Sequence, residues 1–170
     1  MRWTLKPKPP IEKVEALQKA LQVNAAIATL LLQRGIETFE EAKTFFRPSL
    51  SNLHDPFLMK DMDKAVARIE KAIANKENIL VYGDYDVDGT TSVALMSTYL
   101  KTKYPLVHTY IPNRYDEGYG ISYKGINFAL ENDFSLIIAL DCGIKSVEKV
   151  AHAKKLGIDF IICDHHRPGS

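Results

Sequence analysis

The chain is short of cysteine: Cys142 and Cys163 are the two in 170 residues. That excludes a disulfide framework, and because both close apolar runs they read as reduced thiols of a cytoplasmic protein. It also lacks an excess of either charge. Lysine and arginine number 22 against 21 acids, for a formal charge of +1, so no bulk field draws it to nucleic acid or to a membrane. Local patches must make any such contact. Long apolar runs are missing too. The opening MRWTLKPKPP leads into no extended hydrophobic segment, so the sequence predicts neither a secretory signal nor a membrane-spanning helix, and no membrane partner. Internal repeats and low-complexity tracts are absent. What is present is a chain that is 46% hydrophobic, enough for one good core with a smaller appended unit.

Residues 1–10 are proline-rich and predicted to be extended. They lead into a helix with Ile11, Val14, Leu17 and Leu21 on one face. A second helix starts at Asn24 as cap, carries Ile27, Leu30 and Leu31, and stops at Gly35. A third has the capping-box spacing Thr38-x-x-Glu41 and ends before Pro48. Residues 1–60 therefore read as a helical N-terminal lead-in without chemistry of its own, in which His54 is a loop residue. An amphipathic helix over 62–75 follows, with Ala65, Val66, Ile69, Ala72 and Ile73 as its apolar stripe. From there strands at 79–83, 107–111, 135–140 and 159–163 alternate with helices at 90–103, 123–132 and 146–156. This alternation predicts an α/β domain over 61–170, a parallel, Rossmann-like sheet flanked by helices and joined by right-handed crossovers.

The most informative stretch runs from Ile79 to Ser92, ILVYGDYDVDGTTS. An apolar run suited to a buried parallel strand delivers Asp84, Asp86 and Asp88 to its C-terminal lip, where ligands bind in open α/β sheets. Clustered carboxylates repel one another unless a cation joins them, and a hard divalent ion bound through oxygen answers that need. An EF-hand is excluded, because the twelfth position is Leu95 instead of a bidentate glutamate and a strand precedes the loop. The competing reading is an acidic turn whose aspartates cap the next helix, with Thr90, Thr91 and Ser92 as further caps.

Two more strand ends behave alike. LIIAL runs into Asp141-Cys142-Gly143, and FIIC runs into Asp164-His165-His166. Acids or histidines thus sit at the ends of three parallel strands, which a parallel sheet gathers on one edge. Packing and capping do not account for adjacent histidines at a third strand end, so the convergence favours a metal site.

YGDYDVDGTTS, LDCG and DHH together resemble the DHH phosphoesterase superfamily. IPNRYDEGYGIS and the lead-in RGIETFEEAKTFFRPSLSNLHDPFLMKDMDKAVARI make the chain similar to its single-strand-specific exonuclease branch over nearly the full length. Other branches usually begin the first motif with a histidine, where this chain has Tyr82 and Asp84. The resemblance implies a DHH catalytic domain in which Asp86 and Asp88 bind metal, Asp141 bridges two ions and His165 is a ligand. Asp84 would join or support that shell. His166 would sit by the scissile phosphate, and Asp164 would orient a neighbouring histidine. It further implies 5′ to 3′ digestion of single-stranded DNA in repair and recombination, alongside single-strand-binding protein and a helicase. Because the family has a later aspartate motif and a second domain, the chain reads as a fragment truncated before both and inactive alone. Catalytic residues are thus Asp86, Asp88, Asp141, His165 and His166.

Two divalent ions about 3.5–4 Å apart hydrolyse phosphodiesters well. The carboxylate-rich ligand set favours manganese or magnesium over zinc. A zinc site built from Cys142, Cys163 and the histidines is the rival, and it lacks a CxxC pair. Arg114 and Tyr119, in a loop with Gly118 and Gly120, are candidate phosphate and base contacts, as is Ser122 at the next helix start. The alternative for the loop is a surface turn. His108 and His152 read as structural or exposed. A DHH phosphodiesterase acting on short oligonucleotides and a non-catalytic replication scaffold are the alternative functions.

Overall fold

The computed structural model describes residues 3–169, so Met1 and Arg2, at the head of the predicted extended lead, lie outside the described residues. The chain divides into two compact units, Met1–Leu58 and Met59–Ser170. The first holds α1 (Ile11–Leu21), α2 (Ala25–Leu32) and α3 (Phe39–Phe46). Val14 and Leu17 of α1, Ala28 and Leu31 of α2, Ile36 and Ala42 form its small core. The boundaries follow from the caps. The Asn24 side chain accepts from the Ile27 N–H at 3.0 Å, and Thr38 with Glu41 closes a reciprocal capping box. The predicted stripes are narrower than their spacing suggests: Ile11, Ile27 and Leu30 are exposed, and α2 buries Ala28 with Leu31 instead. An eight-residue helix has room for two inward positions on one face.

The second unit begins with α4 (Met62–Ala74) and continues as β1 (Asn78–Gly83), α5 (Val87–Lys101), β2 (Val107–Tyr110), α6 (Tyr123–Glu131), β3 (Phe134–Leu140), α7 (Val147–Lys155) and β4 (Asp159–Cys163). All pairings are parallel, and the strand order is β2-β1-β3-β4. The ILVY run of β1 and the LIIAL run of β3 are continuous rather than alternating because both faces of these central strands are covered. On one face Ile79, Val81, Leu136 and Ile138 pack with Ala72 of α4 and with Val93 and Leu100 of α5. On the other, Leu80, Tyr82, Ile137 and Ala139 meet Ile126 and Ala129 of α6 and Ala153 of α7. Each aliphatic side chain taken from water in this way contributes about 1.5–3 kcal/mol before chain entropy is charged against it. Cys142 is buried, whereas Cys163, the last residue of the edge strand β4, is exposed.

A polar clamp closes the base of the sheet. Arg68 of α4 donates to Glu77 at 2.8 Å and to Asp159 at 2.7 Å. Glu77 also accepts from the Ser135 hydroxyl at 2.5 Å. No helix among the described residues is long and apolar enough to cross a membrane.

Candidate metal centre

The sheet register places the site. Gly83 of β1 aligns with Leu140 of β3, which aligns with Cys163 of β4. The residues that follow each of them are Asp84, Asp141 and Asp164, so adjacent strands about 4.8 Å apart present three carboxylates in a row. The chain crosses from β2 over β1 to reach β3, which makes the β1–β3 gap the topological switch point where such sheets bind ligands. Asp141 turns out of β3 with φ 58, a left-handed conformation costing about 1–2 kcal/mol in a residue with a side chain. Its N–H still donates to the Cys163 carbonyl at 2.8 Å. The Asp141 side chain is only 7% exposed, and its Oδ1 lies 3.0 Å from His165 Nε2. Potential ligand atoms of Asp141, His165 and His166 all fall within 4.8 Å of one another.

Asp164 is the support beneath the histidines. Its Oδ1 accepts from the His166 N–H at 3.0 Å and faces His166 Nδ1 at 2.7 Å, and its Oδ2 accepts from the Ile144 N–H at 2.9 Å. A carboxylate on Nδ1 fixes the ring and leaves Nε2 for another partner. The hydrogen bond that the His166 ring donates to Asp164 raises the His166 pKa. Burial pulls Asp164 upward, but its bonds from His166 and Ile144 outweigh that and hold it below the usual carboxylate range.

The first acidic cluster is arranged differently from the sequence expectation. The helix begins at Val87, three residues before the predicted start, because Asp86 is its N-cap and accepts from the Gly89 N–H at 2.9 Å. Thr90 therefore does not cap it; its hydroxyl donates to the Asp86 carbonyl at 2.7 Å. Strand-like alternation ends at Asp86, and Asp88 stands exposed in the first turn of α5, where a carboxylate suits the positive helix end. Among the described residues, Asp84, Asp86 and Asp88 all lie outside the Asp141–His165–His166 group. Asp84 is fully buried, its carboxylate accepting from Tyr85 N–H at 2.7 Å and Gly120 N–H at 2.5 Å. Burial raises its pKa, and the neighbouring charges of Asp86 and Asp141 push it further the same way. Asp84, Asp86 and Asp141 are thus mutually repelling neighbours on one lip.

Of the proposed substrate residues, Tyr119 and Arg114 stand at this lip and Ser122 does not present itself. The Tyr119 hydroxyl donates to Asp86 Oδ2 at 3.4 Å, and its ring meets Tyr85 and His166 edge-on, with centroids 5.9 Å and 6.4 Å away. Burial and the carboxylates of Asp86, Asp84 and Asp141 push the Tyr119 phenol up to about 12. The Arg114 guanidinium lies over the Tyr85 ring, 5.2 Å from its centroid. Ser122 is buried; its hydroxyl accepts from the Gly125 N–H at 2.8 Å as the cap of α6 and donates to Glu117. Tyr119, Lys145, Asp164 and His166 line a cavity of about 280 Å³ beside the histidines.

The profile of the DHH family, N-terminal domain, matches residues 78–170. The chain belongs to the DHH family. Among curated relatives, the single-stranded-DNA-specific exonuclease RecJ of Bacillus subtilis (strain 168) is 43% identical over 169 residues, covering 99% of this chain and 21% of the relative. The protein of the same name from Thermus thermophilus is 31% identical over 99% of this chain and 24% of its own length. The crystal structure of RecJ in complex with Mn2+ from Thermus thermophilus superposes with a TM-score of 0.72 at 29% identity, covering 99% of this chain and 23% of that one. Its Mg2+ complex gives 0.60 at 26% identity, over 97% and 20%. The chain spans about a fifth to a quarter of the length of the curated relatives it matches.

In this DHH-family chain the zinc alternative loses its support. Neither cysteine belongs to the ligand group found among the described residues. Burial, with the surrounding carboxylates, pushes the Cys142 thiol up to about 12. Sequence reasoning passed over three contributors: Tyr85 beneath Arg114, Lys145 on the cavity wall, and Glu117, which anchors the loop. The only signal for Glu117 was its place before Gly118-Tyr119-Gly120, where φ values of 77 and 83 at the two glycines set the turn.

Proposed function

We propose that this site hydrolyses phosphodiester bonds of single-stranded DNA as part of a manganese- or magnesium-dependent exonuclease working 5′ to 3′ in DNA repair and recombination. The observation that carries the reading is the convergence of three strand ends, with Asp141 and His165 in direct contact and His166 and Asp164 beside them. The single-stranded-DNA-specific exonuclease activity of the RecJ relatives, and the manganese and magnesium in their crystal structures, support it.

The residues present fit divalent ions. Asp141 and His165 would hold them with Asp86, while Asp84, buried among like charges, has the repulsion that a cation relieves. An oxygen-rich set with one or two imidazoles suits manganese or magnesium. When bound, such ions supply Lewis acidity to the phosphate. The protein's own share is placement. Asp164 holds His166 at the cavity wall, where its free Nε2 meets a phosphate oxygen, and Arg114 and Tyr119 receive the adjoining phosphate and base. Asp88, exposed in the first turn of α5 next to the Asp86 cap, would complete the carboxylate set on this side of the ions. In this reading Cys142 and Cys163 are free thiols in the cytoplasm, and single-strand-binding protein and a helicase are the partners.

The test is Asp141→Ala. In a protein that spans the full length of the RecJ relatives and carries this segment, cleavage of a labelled single-stranded oligonucleotide should fall to background, whereas this segment alone is expected to be inactive; Mn2+ affinity, read by electron paramagnetic resonance, should fall at least about tenfold. An intact circular-dichroism spectrum would show that the fold survives. Cleavage persisting in a folded Asp141→Ala protein would overturn the proposal.

A further inference from the structure

We infer that Glu117 is the positioning residue of the substrate loop: it pins residues 111–122 to β2 and α6 so that Tyr119 and Arg114 stand over the strand ends and meet single-stranded DNA. The inference rests on the nuclease reading above.

Glu117 sits half-buried just after the exposed run Asn113 to Asp116 of the loop. Its Oε1 accepts from the Asn113 N–H at 2.7 Å, and its Oε2 accepts from the Tyr110 hydroxyl at 2.9 Å and from Ser122. Burial alone would raise its pKa, but those donors outweigh it and hold the carboxylate below its ordinary value. One anion therefore ties together the start of the loop, the end of β2 and the cap of α6. A second set of bonds fastens the far side. The Gly120 N–H donates to Asp84, the Gly120 carbonyl accepts from the Tyr82 hydroxyl at 2.9 Å, and the Ser122 N–H donates to that same hydroxyl at 3.1 Å. Tyr82 and Tyr110 are themselves stacked, with centroids 5.3 Å apart, so the loop hangs from a rigid aromatic pair in the core.

Between these anchors stands Tyr119, which is 52% exposed. It has one long hydrogen bond, to Asp86. Arg114, exposed and on the face of Tyr85, enters no ion pair among the described residues. A firmly held backbone carrying an unsatisfied guanidinium and an open ring is what a strand with a phosphate and a base requires. Glu117 touches neither. It acts through them.

The experiment is a double-mutant cycle on binding of a fluorescein-labelled oligothymidylate by a protein that spans the full length of the RecJ relatives and carries this segment, without divalent ions so that nothing is cleaved. Glu117→Ala should weaken binding about tenfold in the wild-type background and less than about twofold once Arg114 and Tyr119 are both alanine. Equal losses in both backgrounds would overturn the inference, since Glu117 would then act independently of the residues it is said to place. Exchange of the Gly120 amide should speed up at least about tenfold in Glu117→Ala; unchanged exchange would also overturn it. Should the alanine variant not fold, Glu117→Gln carries the same cycle with a smaller expected loss of about threefold, because it keeps the acceptor for Asn113. If wild-type protein does not bind the oligonucleotide at all, the nuclease reading fails and the substrate role with it, even where exchange shows that Glu117 holds the loop.

Discussion

Replacing Gly89 with alanine tests how the acidic lip is built. In the first turn of a helix, alanine is intrinsically preferred over glycine by up to about 1 kcal/mol, so propensity alone predicts stabilisation. The structure predicts the opposite. A Cβ at Gly89 would lie 2.5 Å from the Asp84 carbonyl oxygen and 2.6 Å from its nitrogen. Those are backbone atoms of the β1 exit and cannot swing aside. Gly83, facing it, is equally tight, with a Cβ there meeting the Gly89 oxygen at 2.8 Å. Overpacking of this kind costs about 1–3 kcal/mol, which exceeds the propensity gain and leaves a net loss of about 1–2 kcal/mol. Since α1–α3 form a separate unit, the reading should come from the sheet itself. Native-state amide exchange at Ile137 and Ile138 should quicken by a factor of roughly 5–30. The displaced turn also carries the Gly89 N–H that holds Asp86, so Mn2+ affinity should weaken in the same variant. Exchange as slow as in the parent, or slower, would refute the claim that backbone contact requires glycine here.

Glu77 governs acid sensitivity of the same unit. Its hydrogen bond from Ser135, together with Arg68, outweighs burial and lowers its pKa from 4.5 to about 2. A depressed carboxylate stabilises the fold above its unfolded pKa and loses that contribution as pH falls through the folded one. Stability should therefore drop by about 1–2 kcal/mol, after allowance for solvent screening, between pH 4.5 and 2. Glu77→Gln should flatten that part of a pH series of urea midpoints, and an unchanged slope would reject the assignment. In the other unit, Thr38→Ala removes the acceptor for the Glu41 N–H and should cost about 1 kcal/mol. Amide exchange should register this in α3 while β1 and β3 remain as protected as before.

The sheet was legible in the sequence because buried parallel strands leave an unmistakable record: ILVY and LIIAL are too short for helices and too apolar for edges. The α/β fold and all four strands stand close to where that pattern put them. Convergence of the strand ends followed from parallel topology alone. What the pattern missed lay at the first-strand exit. A period of two places Asp84, Asp86 and Asp88 alike, but nothing in it marks where the extended chain ends. The Asp86 cap decides that, and it moves Asp88 onto a helix. Ser122 shows a related ambiguity: the sequence pattern of a helix cap and of a phosphate contact is the same, and only the structure shows its oxygen bonded to Gly125 and Glu117.

The same lip holds the least comfortable groups in the molecule. Asp84 is buried among like charges, Asp141 is left-handed, and two glycines are needed for α5 to approach β1 at all. Sequence of this kind is tolerated only where the surroundings over-determine it. Here the surroundings are β1 and β3, fully covered on both faces by α4, α5, α6 and α7, with the strained residues placed just beyond the last paired row. Every carboxylate at the lip therefore follows directly on a sheet whose central strands are covered on both faces. Hence relief of repulsion by a cation should tighten the lip and leave the sheet unmoved. Manganese should slow amide exchange at Tyr85 and Gly120 while Ile137 and Ile138 change little, a contrast that general stabilisation of the unit would not produce.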